Sequence, residues 1–171
     1  MKGNFDTSLP HVLKHEGGWA DHPADPGGAT MKGVTLKTYS TWLSRPASKE
    51  ELRAIPDEHL KAIYKTLYWD AVRGDDLPAG VDYVVFDMAV NSGPGRAVRL
   101  LQSAVGAVPD GAIGPKTLAA VQAQDPATLI ETYQRTRQHF LEALPTFATF
   151  GKGWTRRVVD VGEVAVRMAK H

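Results

Sequence analysis

Apolar positions recur at intervals of three and four along most of the chain, a spacing that predicts helices rather than strands. Phe5, Leu9, Val12 and Leu13 form one stripe and predict a first helix over about 4–15, with Pro10 predicting a late start or a kink. Leu36, Tyr39, Trp42 and Leu43 predict a second helix, capped by Thr35. Ser48-Lys49-Glu50-Glu51 reads as a capping box that opens a short helix ended by Pro56. Asp57 then caps a helix whose stripe is Leu60, Ile63, Tyr64 and Leu67. Residues 81–91 are apolar nearly all round and predict the most buried helix of the protein. Ser92-Gly93-Pro94-Gly95 is a turn, and residues 96–105 resume as helix with Ala97, Leu100, Leu101 and Val105 inward. Residues 115–123 predict a further helix, and Asp125-Pro126 opens a long one to about 144, stopped by Pro145. Phe147, Phe150 and Trp154 bridge to a last helix over 151–168, with Val158, Val161, Val164 and Val166 as packing residues. The fold class is all-α, with at most a small β-hairpin near 29–35.

One stretch breaks this pattern. From His15 to Thr35 the chain reads His-Glu-Gly-Gly-Trp-Ala-Asp-His-Pro-Ala-Asp-Pro-Gly-Gly-Ala-Thr-Met-Lys-Gly-Val-Thr. Its prolines and glycines suit neither a helix nor a central strand, and carboxylates, histidines and hydroxyls crowd within it. Loops on a rigid scaffold are where catalytic groups collect. Glu16 sits at the end of the first helix, where a carboxylate opposes the helix dipole, and local conflicts of this kind concentrate at functional sites.

Composition narrows the partners. The chain has 171 residues, a net charge of +1 and no cysteine. Near-neutrality argues against nucleic acid or an anionic membrane as partner. The missing cysteines remove thiol catalysis, thiolate metal sites and disulfides. The N-terminal residues lack the apolar run of a secretory signal, and no segment reaches the roughly 18 apolar residues of a membrane span. The expectation is therefore a soluble monomer made in the cytoplasm without a signal peptide, acting elsewhere only after release.

Several chemistries are absent. No Gly-x-Ser-x-Gly elbow and no His-Glu-x-x-His pair occurs, and neither Gly27-Gly28 nor Gly93-Pro94-Gly95 has phosphate-loop spacing. His11 and His15 are four apart, but with His22 they read as polar surface, so no metal and no cofactor is expected. Arg156-Arg157 reads as a solvated helix face rather than an anion site. Carboxylate chemistry is left. Glycoside hydrolysis needs a protonated carboxyl as general acid, and commonly a second group for water or the developing cation. Glu16 is the natural acid, with packing against Trp19 disfavouring its charge. Asp25 is the second carboxylate, Asp21 competes with it, and Thr30 or Thr35 is placed to hold a water. Asp87 and Asn91, four apart on the greasy helix, read as a satisfied structural pair or as cleft-lining groups.

The long motif from Glu16-Gly-Gly-Trp to Thr35 resembles the glycoside hydrolase family 108 muramidases, lysozyme-like peptidoglycan hydrolases of bacteria and phages. Tyr68-Trp69-Asp70, Phe86-Asp-Met-Ala-Val-Asn-Ser-Gly93 and Phe150-Gly-Lys-Gly-Trp-Thr-Arg-Arg-Val158 resemble the same family. The resemblance implies Glu16 as catalytic acid. It also implies a lysozyme-like helical domain over 1–105 and a peptidoglycan-binding-like region over 106–171. Val108-Pro-Asp-Gly-Ala-Ile-Gly-Pro-Lys-Thr117 is similar to the Asp-Gly-x-x-Gly-Pro-x-Thr signature of small peptidoglycan-binding modules. Phage-type muramidases place an Asp or Cys after eight residues from the Glu and a Thr after five more; Asp25 fits, and Thr30 falls one short. The expected activity is cleavage of the N-acetylmuramic acid to N-acetylglucosamine β-1,4 bond, endolysin fashion, with holin-dependent release. Trp19, Asp21, Tyr68, Trp69, Asp87 and Asn91 are the candidate sugar contacts. A lytic transglycosylase using Glu16, or a non-catalytic wall-binding or secretion-assisting protein, are the alternatives.

Overall fold

The structure is a computed structural model that describes residues 1–22 and 28–170. It is mainly α. Nine α-helices lie among the described residues: α1 (Phe5–His15), α2 (Leu36–Leu43), α3 (Lys49–Arg53), α4 (Asp57–Tyr64), α5 (Val81–Ser92), α6 (Pro94–Val105), α7 (Pro115–Gln122), α8 (Pro126–Glu142) and α9 (Phe147–Ala169). Three two-residue strands, β1 (Trp19–Ala20), β2 (Thr30–Met31) and β3 (Val34–Thr35), form an antiparallel sheet in that order. The hairpin near 29–35 is therefore joined by a third strand. Two residues carry no alternation, so β1 left no signal in the sequence.

Helix α5 is the axis. Residues Val81 through Ala89 are all buried, because α1, α6, α8 and α9 each pack against it. Phe86 meets Phe5 at 5.7 Å and Trp69 edge-on at 5.3 Å, and Phe5 meets Trp69 at 5.6 Å. Such edge-to-face pairs add to what area burial contributes. Asp82, in the first turn, is fully buried yet satisfied. It accepts from the N–H groups of Gly80 and Tyr83, from Asn4 Nδ2 and from the Met1 ammonium. Pro10 lies inside α1 without ending it.

The predicted caps hold where side chains make the bonds. Thr35 accepts from the Thr38 N–H, Ser48 and Glu51 form a full capping box, and Asp125 accepts from Thr128. The Arg45 guanidinium and the Ser48 N–H together hold the Glu51 carboxyl down at about 2. Asp57, expected as a cap, instead begins α4, with Pro56 in the cap position.

Two boundaries differ from the periodicity. After α4 the chain makes one wide π-helical turn, Lys65–Trp69, in which the Asp70 N–H reaches the Lys65 carbonyl. The extra residue rotates the stripe, so Leu67 faces solvent and Trp69 turns fully inward. The last helix starts at Phe147, four residues before expectation. Gly151, the expected first residue, lies inside the helix with the Phe147 ring over it, and a Cβ there would sit 2.8 Å from that ring.

Trp69 is thus core rather than a sugar contact: it has no exposed surface, and its indole N–H donates to Asp75 at 2.9 Å. Trp69→Ala is expected to lower unfolding free energy by about 3–5 kcal/mol. Urea denaturation checks this, and a loss under about 1 kcal/mol would return the ring to the surface.

Candidate active site

Glu16 follows directly on α1 and leaves the helix in extended conformation, its N–H returning to the Leu13 carbonyl. Its carboxylate is 19% exposed and receives Arg157 Nη1 on Oε1 at 3.0 Å. Its other oxygen faces the hairpin. Lys32 and Gly33 both have positive φ, 49° and 82°, the pair of left-handed residues that a type I′ turn requires. A Cβ on Gly33 would lie 2.5 Å from the Tyr64 hydroxyl and 3.0 Å from Glu16 Oε2. Glycine is needed twice over here, for its backbone and for its missing side chain. The Tyr64 hydroxyl donates to the Lys32 carbonyl at 2.6 Å and so pins the turn against the carboxylate.

Behind Glu16 lies a buried ion cluster. Arg157 donates from Nε and Nη2 to the two oxygens of Asp87, at 3.1 and 3.0 Å. This parallel fork is the strongest geometry open to the two groups. Arg137, fully buried, reaches Asp87 Oδ2 at 2.8 Å and Asn91 Oδ1 at 3.4 Å. Burial alone would push the Asp87 carboxyl up, but the two guanidiniums outweigh it and hold the group below its usual range. Tyr64 and Tyr68, 5.5 Å apart, have phenols pushed up, first by burial and then by the Glu16 charge. His15, beside Glu16 in sequence, is pushed down by burial.

Residues 9–93 match the Glycosyl hydrolase 108 family, and residues 96–159 match the Predicted Peptidoglycan domain family. The solved structure of Brucella abortus SagA is 48% identical, covers 100% of this chain and 98% of its own, and aligns with a TM-score of 0.91. The chain belongs to the glycosyl hydrolase 108 family. The pairing of its two matched regions supports a peptidoglycan hydrolase. No curated protein matches the chain.

The candidate residues of this family 108 protein fall into separate groups. Glu16 and Tyr68 lie together; Asp87 and Asn91 lie behind them in the ion cluster. Asp87 has no exposed surface, so of its two sequence readings the structural pair is the one its surroundings fit, with arginines rather than Asn91 as its main partners. Trp19 is half-buried under the Arg53 guanidinium at 5.6 Å. Asp21 pairs with Lys49 at 3.0 Å near the surface. Thr30 is half-buried in β2, opposite Ala20 and Thr35. The Thr35 hydroxyl is occupied as the α2 cap. Asp25 lies outside the described residues.

Sequence reasoning placed Arg157 on a solvated face, and the structure corrects that: it is the bridge between Asp87 and Glu16. Arg137, Tyr64 and Gly33 were missed as well. A polar pair on an apolar helix was the one available hint, since a buried Asp87 demands cationic partners from elsewhere in the chain.

Asp87→Asn leaves the buried Arg137 without its carboxylate and Arg157 with Glu16 alone, and is expected to cost about 3–5 kcal/mol. The sign with pH follows from the lowered carboxyl. Asp87 contributes stability above its unfolded value of about 3.9, and that contribution is lost as pH falls through the lower folded value. Acid titration of wild type against Asp87→Asn should show this limb only in the wild type.

Proposed function

We propose that this protein is an N-acetylmuramidase that cleaves the β-1,4 bond between N-acetylmuramic acid and N-acetylglucosamine in bacterial peptidoglycan, with Glu16 as general acid. The observation that carries the reading is the seat of Glu16. Its carboxylate is half-buried, tied through Oε1 to Arg157 and turned with Oε2 toward the hairpin. Oε2 is the oxygen we assign to deliver the proton to the glycosidic oxygen. Loss of that proton creates a carboxylate beside a guanidinium already in place, so the product state needs no reorganisation.

Arg157 does not act as a lone counter-ion. Two of its three bonding nitrogens are given to Asp87, so its charge is shared between two carboxylates. The contact with Glu16 uses a single nitrogen of Arg157 on Oε1, which leaves Oε2 for the substrate. Asp25 is the group we assign to the water or to the oxocarbenium-like centre. Tyr68, half-buried beside Tyr64, is the aromatic best placed to meet a sugar ring near Glu16.

Mass spectrometry of sacculi digested by wild type and by Glu16→Gln tests the reading. Muropeptides with free reducing ends from wild type alone are the expected outcome. Products one water lighter would establish transglycosylation instead, and equal release by both proteins would remove Glu16 from the acid role. A second test uses the turn. Gly33→Ala adds a methyl in a left-handed conformation that costs about 1–2 kcal/mol and crowds both Tyr64 and Glu16. Displacing a catalytic group by about 1 Å lowers turnover by as much as ~100-fold. Activity falling at least tenfold while the protein stays folded is expected; full activity would separate the turn from the acid.

A further inference from the structure

Helix α9 carries its core-facing stripe beyond the core. Over Val158, Val161 and Ala165 this face is buried. Toward the N-terminus it continues as Phe147, Phe150 and Trp154, and there it opens to solvent. Phe150 is 53% exposed, while Phe147 and Trp154 are half-buried. The rings form a run: Phe150 stacks on Trp154 at 5.8 Å with 30° between planes, and Phe147 lies 6.3 Å from Trp154.

This stripe leads to the candidate catalytic carboxylate. Phe150, Trp154 and Arg157 are spaced i, i+4, i+7 and so leave the helix on one side. Arg157 is the residue that touches Glu16. Seven residues of helix put Phe150 about 10 Å from Arg157 along the axis, a separation on the scale of one disaccharide. The ring pair also lies within residues 96–159, the part that matches the Predicted Peptidoglycan domain family.

We propose that Phe150 and Trp154 form a stacking platform for the glycan strand, holding sugars that extend away from the bond at Glu16; this rests on the muramidase reading above. Pyranose rings present apolar C–H faces, and flat aromatic surfaces left in water at the edge of a fold suit them. The rings are already ordered against each other and against Phe147, so little side-chain freedom is lost when a sugar docks.

The platform is tested by binding without turnover. Purified soluble peptidoglycan strands are titrated into full-length Glu16→Gln, and into the same protein carrying Phe150→Ala or Trp154→Ala. Loss of one stacked ring is expected to raise Kd about three- to tenfold. Phe150→Ala should melt at the parent temperature, since its ring is mostly exposed, and Phe150→Tyr should restore affinity. Unchanged Kd in both alanine variants overturns the proposal. So does a finding that the same substitutions abolish self-association, or binding to anionic lipid vesicles, while strand affinity stays constant. Failure of wild type to release muropeptides from sacculi would defeat the activity alone, because the strand Kd is read in a protein that does not turn over.

Discussion

A carboxylate with no access to water sits near the middle of this molecule, and most of the architecture can be derived from what it requires. Asp87 lies on the one helix that is buried on nearly every side. An isolated charge there would cost many kcal/mol, so its partners must come from other elements and arrive with good geometry. They come from α8 and α9, as Arg137 and Arg157. The two matched family regions are thereby joined through a low-dielectric ion cluster as well as through apolar contact. Burying charge in this way adds little net stability, but it admits few alternative packings.

The same cluster sets the electrostatics of the front face. Arg157 reaches past Asp87 to Glu16, so a residue deep in the core and a residue at the surface share one guanidinium. The hairpin completes the seat from the opposite side, with Tyr64 fastening the Lys32 carbonyl. Helix end, tight turn and long C-terminal helix each supply one wall. None of the three would hold the carboxylate alone.

The helices were legible because their burial is periodic, and the caps because Thr35, Ser48 and Asp125 bond backbone a few residues away. The departures have local causes. A wide turn of one extra residue moved Leu67 out and Trp69 in, and no residue type announces such a turn. Glu16 was legible from its position at a helix end before two glycines. Arg157 was not, because two adjacent arginines on an amphipathic helix look alike until the fold places one of them over Asp87. The Asp110-Gly111 to Thr117 segment shows the reverse case. Its signature was visible, but its organiser is Gln102 on α6, whose buried amide lies within bonding distance of Asp110, Ala112 and Thr117 and accepts from the Gly111 N–H. Those signature residues shape a loop; the amide that ties them sits outside the motif.

The bond between Arg157 and Glu16 spans 141 positions of sequence. During synthesis the N-terminal part emerges first, so Glu16, the hairpin and Asp87 exist for a time without either arginine. Until α9 leaves the ribosome, the carboxylate of α5 has at most Arg137 of its two guanidinium partners, and Glu16 has no cation at Oε1. Assembly of the candidate catalytic face therefore waits for α9. A fold built in this order withholds the geometry around Glu16 until α9 has been made.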